Sequence, residues 1–165
     1  MTDPSYHRQI VVTAAPQIGN TGWNDEDNES HGDTIWVAGL VIRDLARRVS
    51  NWRAARTLPE EMEKQGIIGI SGIDTRTVVR HLRNHGSIKA GLFSGEAAER
   101  DVAELIEEVK NQPSMAGLDL SEEVSTDKPY TIEAVGEKRY TVVAYDMGVK
   151  TATPNNFAQR GLSLI

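Results

Sequence analysis

The stretch from Gly69 to Gly95, GISGIDTRTVVRHLRNHGSIKAGLFSG, constrains the fold more than any other part of the chain. Ile67, Ile68 and Ile70 form a β-branched run punctuated by Gly66 and Gly69, which suits a short buried strand. Asp74 or Thr75 is placed to cap a helix, since a short side-chain oxygen there accepts from the first free backbone N–H groups. Val78, Val79 and Leu82 then share one helical face, and Gly86 stands where a left-handed cap would close it. Ile88, Ala90, Leu92 and Phe93 supply a returning strand. A strand–helix–strand unit of this length predicts two parallel strands joined by a crossover, hence an α/β fold.

Whether such a unit can be covered depends on the rest of the chain. At 165 residues, 39% hydrophobic and 25% charged, there is enough material for an ordinary core. A net charge of −6 argues against a nucleic-acid partner, which requires a basic footprint. No apolar run is long enough to cross a bilayer, and MTDPSYHRQ has no secretory pattern, so no membrane partner and a cytoplasmic location are expected. The chain has no cysteine, which removes disulfides, zinc–thiolate sites and any thiolate nucleophile.

In chain order, Asp3-Pro4-Ser5 predicts a turn and Ile10-Val11-Val12 a strand. Gly19, Asn20 and Gly22 offer positive-φ positions in the loop that follows. DEDNESHGD, residues 25 to 33, reads as a solvated acidic loop. It fails as a calcium loop, because the required Gly is missing and the twelfth position from Asp25 is Trp36. Residues 34–43, TIWVAGLVIR, are continuous enough for a strand covered on both faces. The arginine-rich connector holding Trp52 favours a structural or partner-binding role over nucleic-acid stacking, given the acidity of the whole. Thr57-Leu58-Pro59-Glu60 is a capping box that starts a short helix ended by Gly66. Ala97 to Gln112 predicts one amphipathic helix, and residues 116–138 a linker with a short strand at Tyr130–Ala134. Tyr140–Tyr145 predicts a strand, then a helix from about Thr153 to Arg160 and a further strand from Leu162. A parallel unit needs neighbours on both sides, so the expectation is that the chain is a fragment or that another chain completes the sheet.

Candidate chemistry is sparse. His81 and His85 have two-ligand spacing, but Leu82 stands where a metalloprotease motif needs Glu, and no third ligand is evident. Arg76, Arg80 and Arg83 line the same helix, either as a solvated stripe or as a docking surface for an acidic partner. Gly148-Val149-Lys150-Thr151 lacks the upstream Gly of a phosphate loop, and neither Ser71 nor Ser94 lies in a nucleophile elbow.

Several strings taken together resemble the small subunit of glutamine-dependent carbamoyl phosphate synthetase. They are Thr2-Asp-Pro-Ser-Tyr6 with Gln9-Ile10-Val11, Pro16 to Gly22 (PQIGNTG), Gly39 to Asp44 (GLVIRD) and Ser50-Asn51-Trp52-Arg53. Gly69 to Arg76 (GISGIDTR), His81-Leu82-Arg83 and Val142 to Lys150 (VVAYDMGVK) follow in family order. Gln17 stands where the family commonly has His, and Met147 where it commonly has Phe.

The resemblance implies a swivelling β/β/α N-terminal domain over residues 1–115, incomplete at its start, and a linker over 116–138. Residues 139–165 would then be the truncated start of a doubly wound class I amidotransferase domain. It implies an enzyme subunit that hydrolyses glutamine and passes ammonia to a large synthetase subunit, where ATP and magnesium serve carbamoyl phosphate synthesis for the arginine and pyrimidine pathways. The family's nucleophilic Cys and its His and Glu partners match nothing here. No catalytic, glutamine-binding or metal residue, and no cofactor, is therefore carried over to this chain, which is expected to be inactive alone. The residues assigned structural or interface roles are Gly19, Asn20, Gly22, Asp74, Thr75, Arg76, Arg80 and Arg83, with Arg76 open to a carboxylate partner. The competing expectation is a free-standing regulatory or interaction domain using the same fold.

Overall fold

The computed structural model describes residues 1–165. In chain order it forms β1 (Ile10–Val12), β2 (Gln17–Ile18), β3 (Gly39–Val41), β4 (Asp44–Leu45), α1 (Leu58–Lys64), β5 (Ile68–Ile70) and α2 (Thr75–His85). Then come α3 (Val102–Asn111), α4 (Ser121–Val124), β6 (Tyr140–Val142), α5 (Ala152–Ala158) and β7 (Leu162–Leu164). The fold is mixed α/β, and every strand ladder in it is parallel. The chain divides into two compact units, neither continuous in sequence: Arg8–Asp25 with Val37–Leu118, and Met1–His7 with Glu26–Trp36 and Asp119–Ile165.

In the first of these units the sheet is ordered β1-β3-β5, so its centre is β3 and not the stretch from Gly69 onward. Leu40 pairs with Val11 on one side and Gly69 on the other, and all three β3 residues are buried. A central strand covered on both faces needs a continuous apolar sequence, which Gly39-Leu-Val-Ile42 supplies. The expected strand over 34–43 is shorter than the sequence allows, but its pairing continues. Ala38 N donates to Gln9 O, Ile42 N to Ile70 O, and β4 then pairs with β2.

The crossover between β3 and β5 carries α1, whose start follows the capping box in full. Thr57 Oγ1 accepts from Glu60 N, and Glu60 Oε2 accepts from Thr57 N at 2.7 Å. Met62 lies over Gly69, where an added Cβ would come within 2.9 Å of its methyl group. The absent side chain therefore lets the helix sit close to β5. α2 lies against β1 with Val78, Val79 and Leu82 half-buried.

Two expectations fail in this unit. No strand forms over Ile88–Phe93. Leu92 instead fills the space above Gly39, its Cδ1 about 2.5 Å from where a Cβ would stand, and Lys89 Nζ donates to Lys110 O and Gln112 O. The segment is fastened to α3 and to a sheet face, so its backbone joins no ladder. The helix over 97–112 is also broken. A 3-10 turn covers Gly95–Glu99, and Asp101 Oδ1 accepts from Ala103 N at 2.8 Å to start α3 afresh. A short side-chain acceptor favours a cap over a helix interior.

In the other unit, β6 and β7 pair with Thr141 opposite Ser163, and α5 crosses between them. The expected strand at Tyr130–Ala134 reduces to one antiparallel bridge, Ile132 with Leu164. After Ile132 the backbone leaves the ladder, because Ala134 N takes the buried Ser163 hydroxyl at 3.1 Å. Tyr140, Val143 and Tyr145, on β6 and just past it, face solvent.

Candidate functional site

The Gly19–Gly22 loop is the first of the matched strings with a geometry of its own. Gly19 has φ +99° and Gly22 φ +66°, and Gly22 N donates back to Gly19 O at 3.0 Å. Gly22 is required twice over, since an added Cβ would also stand 2.7 Å from Ala54 Cβ and Val49 Cγ1. Asn20 does not take a positive φ. Its carbonyl instead accepts from Ser50 N at 2.8 Å and Ser50 Oγ at 3.3 Å, a role within the turn that leaves the positive-φ positions to the glycines.

That loop holds the connector at residues 46–56. Ala46 N donates to Ile18 O, Ala55 N to Trp23 O, and Trp23 N to Arg56 O. At the tip, Ala54 N donates to Asn51 O, and Asn51 Oδ1 accepts from Arg53 N, so Trp52 occupies the first corner of a braced β-turn. Its side chain is 91% exposed, whereas Trp23 below it is buried. Arg56 fixes the foot of the connector. Its guanidinium donates to both Asp25 oxygens and to Glu61, a fully buried carboxylate on α1 that also accepts from Gln65 Nε2 at 2.5 Å. Burial pushes the Glu61 carboxyl up, but the bonds from Arg56 and Gln65 outweigh it and leave it below the usual range. Bonds to Asp25 and Glu61 raise Arg56 in turn.

On α2, Asp74 caps the helix: Oδ1 accepts from Thr77 N at 3.1 Å and Oδ2 from Thr77 Oγ1 at 2.8 Å. These bonds hold its carboxyl below the ordinary value. Thr75 is buried and donates its N–H to Ile73 O. The Arg76 side chain pairs with no carboxylate, while its backbone N–H adds to the bonds that lower Asp74. It is exposed, as are Arg80 and Arg83, which follow on the same helix. His81 and His85 stack with ring centroids 4.3 Å apart, and His85 Nδ1 lies 3.0 Å from His81 O.

The string from Val142 to Lys150 ends in a polar cluster that sequence reading did not single out. Asp146 Oδ1 accepts from Gly148 N at 3.0 Å and Val149 N at 2.7 Å, and Oδ2 accepts from Tyr130 Oη at 2.6 Å. Burial raises the Asp146 carboxyl, but these three donors more than compensate and lower it; burial and the same bond raise the Tyr130 hydroxyl. Lys150 Nζ bridges Glu29 at 2.8 Å and the nearly buried Asp3 at 3.1 Å. Thr151 fastens the same place, its N donating to Glu29 O and its Oγ1 to Asn28 O. The acidic segment expected to be a solvated loop is therefore partly pinned, with Ser30 buried and Glu29 N donating to Thr2 Oγ1. An open depression of about 250 Å³ lies beside it, lined by Glu26, Glu29, Lys150 and Asn155 among others. Of its lining groups, Lys150 and Glu29 are paired with each other and the Thr151 hydroxyl is given to Asn28 O. The pattern that could have exposed the cluster is the Asp-x-Gly turn at 146–148 followed by a cation; its partners at Asp3 and Glu29 leave no local trace.

Fold and cluster together define an α/β protein of parallel ladders whose matched strings serve as turns, caps and braces. The family model for the carbamoyl-phosphate synthase small chain, CPSase domain, matches residues 1–92. A curated Corynebacterium diphtheriae protein, named carbamoyl phosphate synthase small chain, is 70% identical over 165 residues, all of this chain and 44% of its own length. Proteins of the same name from Corynebacterium glutamicum and Mycobacterium tuberculosis are 68% and 59% identical over 165 residues, covering 42% and 44% of those proteins. The chain belongs to the carbamoyl-phosphate synthase small-chain family. It spans less than half the length of these curated relatives.

Proposed function

We propose that this chain serves as scaffold and subunit contact in a glutamine-hydrolysing carbamoyl phosphate synthase, without contributing the catalytic groups. The observation that carries the reading is that family likeness runs over all 165 residues while the chain holds no cysteine. Hydrolysis of glutamine by a thiolate needs that side chain and a base to activate it, and the acids described above are occupied by internal donors. In this reading residues 1–115 form a swivelling β/β/α domain, 116–138 a linker, and 139–165 belong to a doubly wound amidotransferase domain. Glutamine is the substrate of the small chain, and ATP and magnesium stay with a large chain. The product feeds arginine and pyrimidine synthesis in the cytoplasm. Gly19, Asn20 and Gly22 shape a contact loop, Asp74 and Thr75 set the start of α2, and Arg76, Arg80 and Arg83 present positive charge.

Two measurements test this. Purified chain incubated with glutamine should release no glutamate above a blank, and turnover would overturn the non-catalytic assignment. Pull-down with the large chain should give specific retention; its absence would favour a free-standing interaction domain.

A further inference from the structure

The most exposed large apolar side chain in the molecule is Trp52. An aromatic of this size in water is unfavourable by the area it leaves uncovered, and the surrounding connector is built to keep it there. Asn51 braces the turn through both its backbone and side-chain oxygens, and Asn20 and Trp23 hold the flanks. Gly22 leaves no room for the connector to be displaced inward by a larger residue. A side chain presented on a fixed turn loses little freedom on docking, which is the condition for an interface anchor.

Charge indicates what it docks against. Residues 46–56 contain no Asp or Glu, although the chain as a whole carries −6. Arg56 is consumed by Asp25 and Glu61, whereas Arg47 and Arg48 are exposed. An exposed aromatic on a connector that carries exposed arginines and no carboxylate has the composition of a protein-interface hot spot. It provides only one ring, too few for a stacking platform along a nucleic acid, and it lies on no amphipathic helix that would seat on a membrane.

We infer that the Trp52 turn is a docking anchor which inserts into an apolar slot rimmed by carboxylates on a protein partner. Resting on the proposed function, that partner is the large chain.

The test titrates the full chain with purified large chain. Replacing the ring, Trp52→Ala, should weaken binding about 30-fold or more, and Trp52→Phe should recover most of it. Reversing charge with Arg47→Glu and Arg48→Glu together should slow association about tenfold or more at low salt and flatten the salt dependence. Iodide quenching of the wild-type chain reads the same contact without a variant: the readily quenched tryptophan should become protected in the complex. Wild-type retention with unchanged Trp52→Ala affinity, or with unprotected quenching, overturns this inference and leaves the proposed function standing. Failure of the wild-type chain to bind removes both. Self-association, or retention on nucleic acid, that depends on Trp52 assigns the anchor to another occupant and likewise overturns the inference.

Discussion

Gly22 and Gly66 adopt nearly the same backbone angle, φ +66° and +68°, within one compact unit. An L-residue held in that region costs roughly 1–2 kcal/mol, and the gain from a less flexible unfolded chain is common to both sites. Their surroundings differ. Nothing lies within 4 Å of a Cβ added at Gly66, whereas at Gly22 it would meet two methyl groups at 2.7 Å and Arg56 O at 2.9 Å. The methyls can shift, but the oxygen is pinned by the bond from Trp23 N. Overpacking of this kind adds about 1–3 kcal/mol. Gly66→Ala should therefore cost about 1–2 kcal/mol and Gly22→Ala about 2–5 kcal/mol. The difference between them isolates the crowding. Equilibrium urea unfolding followed by tryptophan fluorescence measures both, because Trp23 and Trp52 belong to the same unit as the two glycines. Costs within about 0.5 kcal/mol of each other would mean the 46–56 connector yields freely. The account of a braced Trp52 turn would then be wrong.

Three further outcomes are expected. Asp74→Ala should lower the melting midpoint by about 2–4 °C and Asp74→Asn by less, since asparagine also caps; equal losses would remove the capping role. Arg56→Met leaves Glu61 buried without its cation, so at pH 7 the midpoint should fall on the order of 10 °C. In the wild type, Glu61 stabilises above the unfolded value of 4.5 and its contribution is lost as pH drops through the lower folded value. In the variant burial dominates and the folded value rises, so the deficit should narrow as acid protonates Glu61; a deficit independent of pH between 7 and 4.5 would contradict this. Burial raises Asp3, but the Ser5 and Lys150 bonds bring it below 3.8, so its contribution is present above that value and lost on further acidification. Lys150→Met should move the onset of acid unfolding to higher pH, and an unshifted acid limb would sink that assignment.

What could be read from the sequence was local. The Thr57–Glu60 capping box, the Asp74 cap, the Gly66 stop and the buried strand at Gly39–Val41 each depend on neighbours a few residues away. Elsewhere tertiary contacts overrode local pattern. Ile88–Phe93 has the composition of a strand, but Leu92 fills the space above Gly39 and its backbone joins no ladder. Ala97–Gln112 has helical spacing, but Asp101 interrupts it with a better cap than an interior. Trp52 was visible as a residue and its exposure was not, because exposure depends on Asn20, Trp23 and Gly22 arriving from another part of the chain. Asp146 and Lys150 lay inside a matched string, yet Tyr130, Asp3 and Glu29 complete them from far away.

The unit made of Met1–His7, Glu26–Trp36 and Asp119–Ile165 has a bearing on synthesis. Within this unit a ribosome delivers Met1–His7 long before Leu162–Leu164. Asp3 must therefore wait, unpartnered, through more than a hundred peptide bonds for Lys150 to emerge. Truncating the gene after Leu118 would strand the opening residues along with the piece removed.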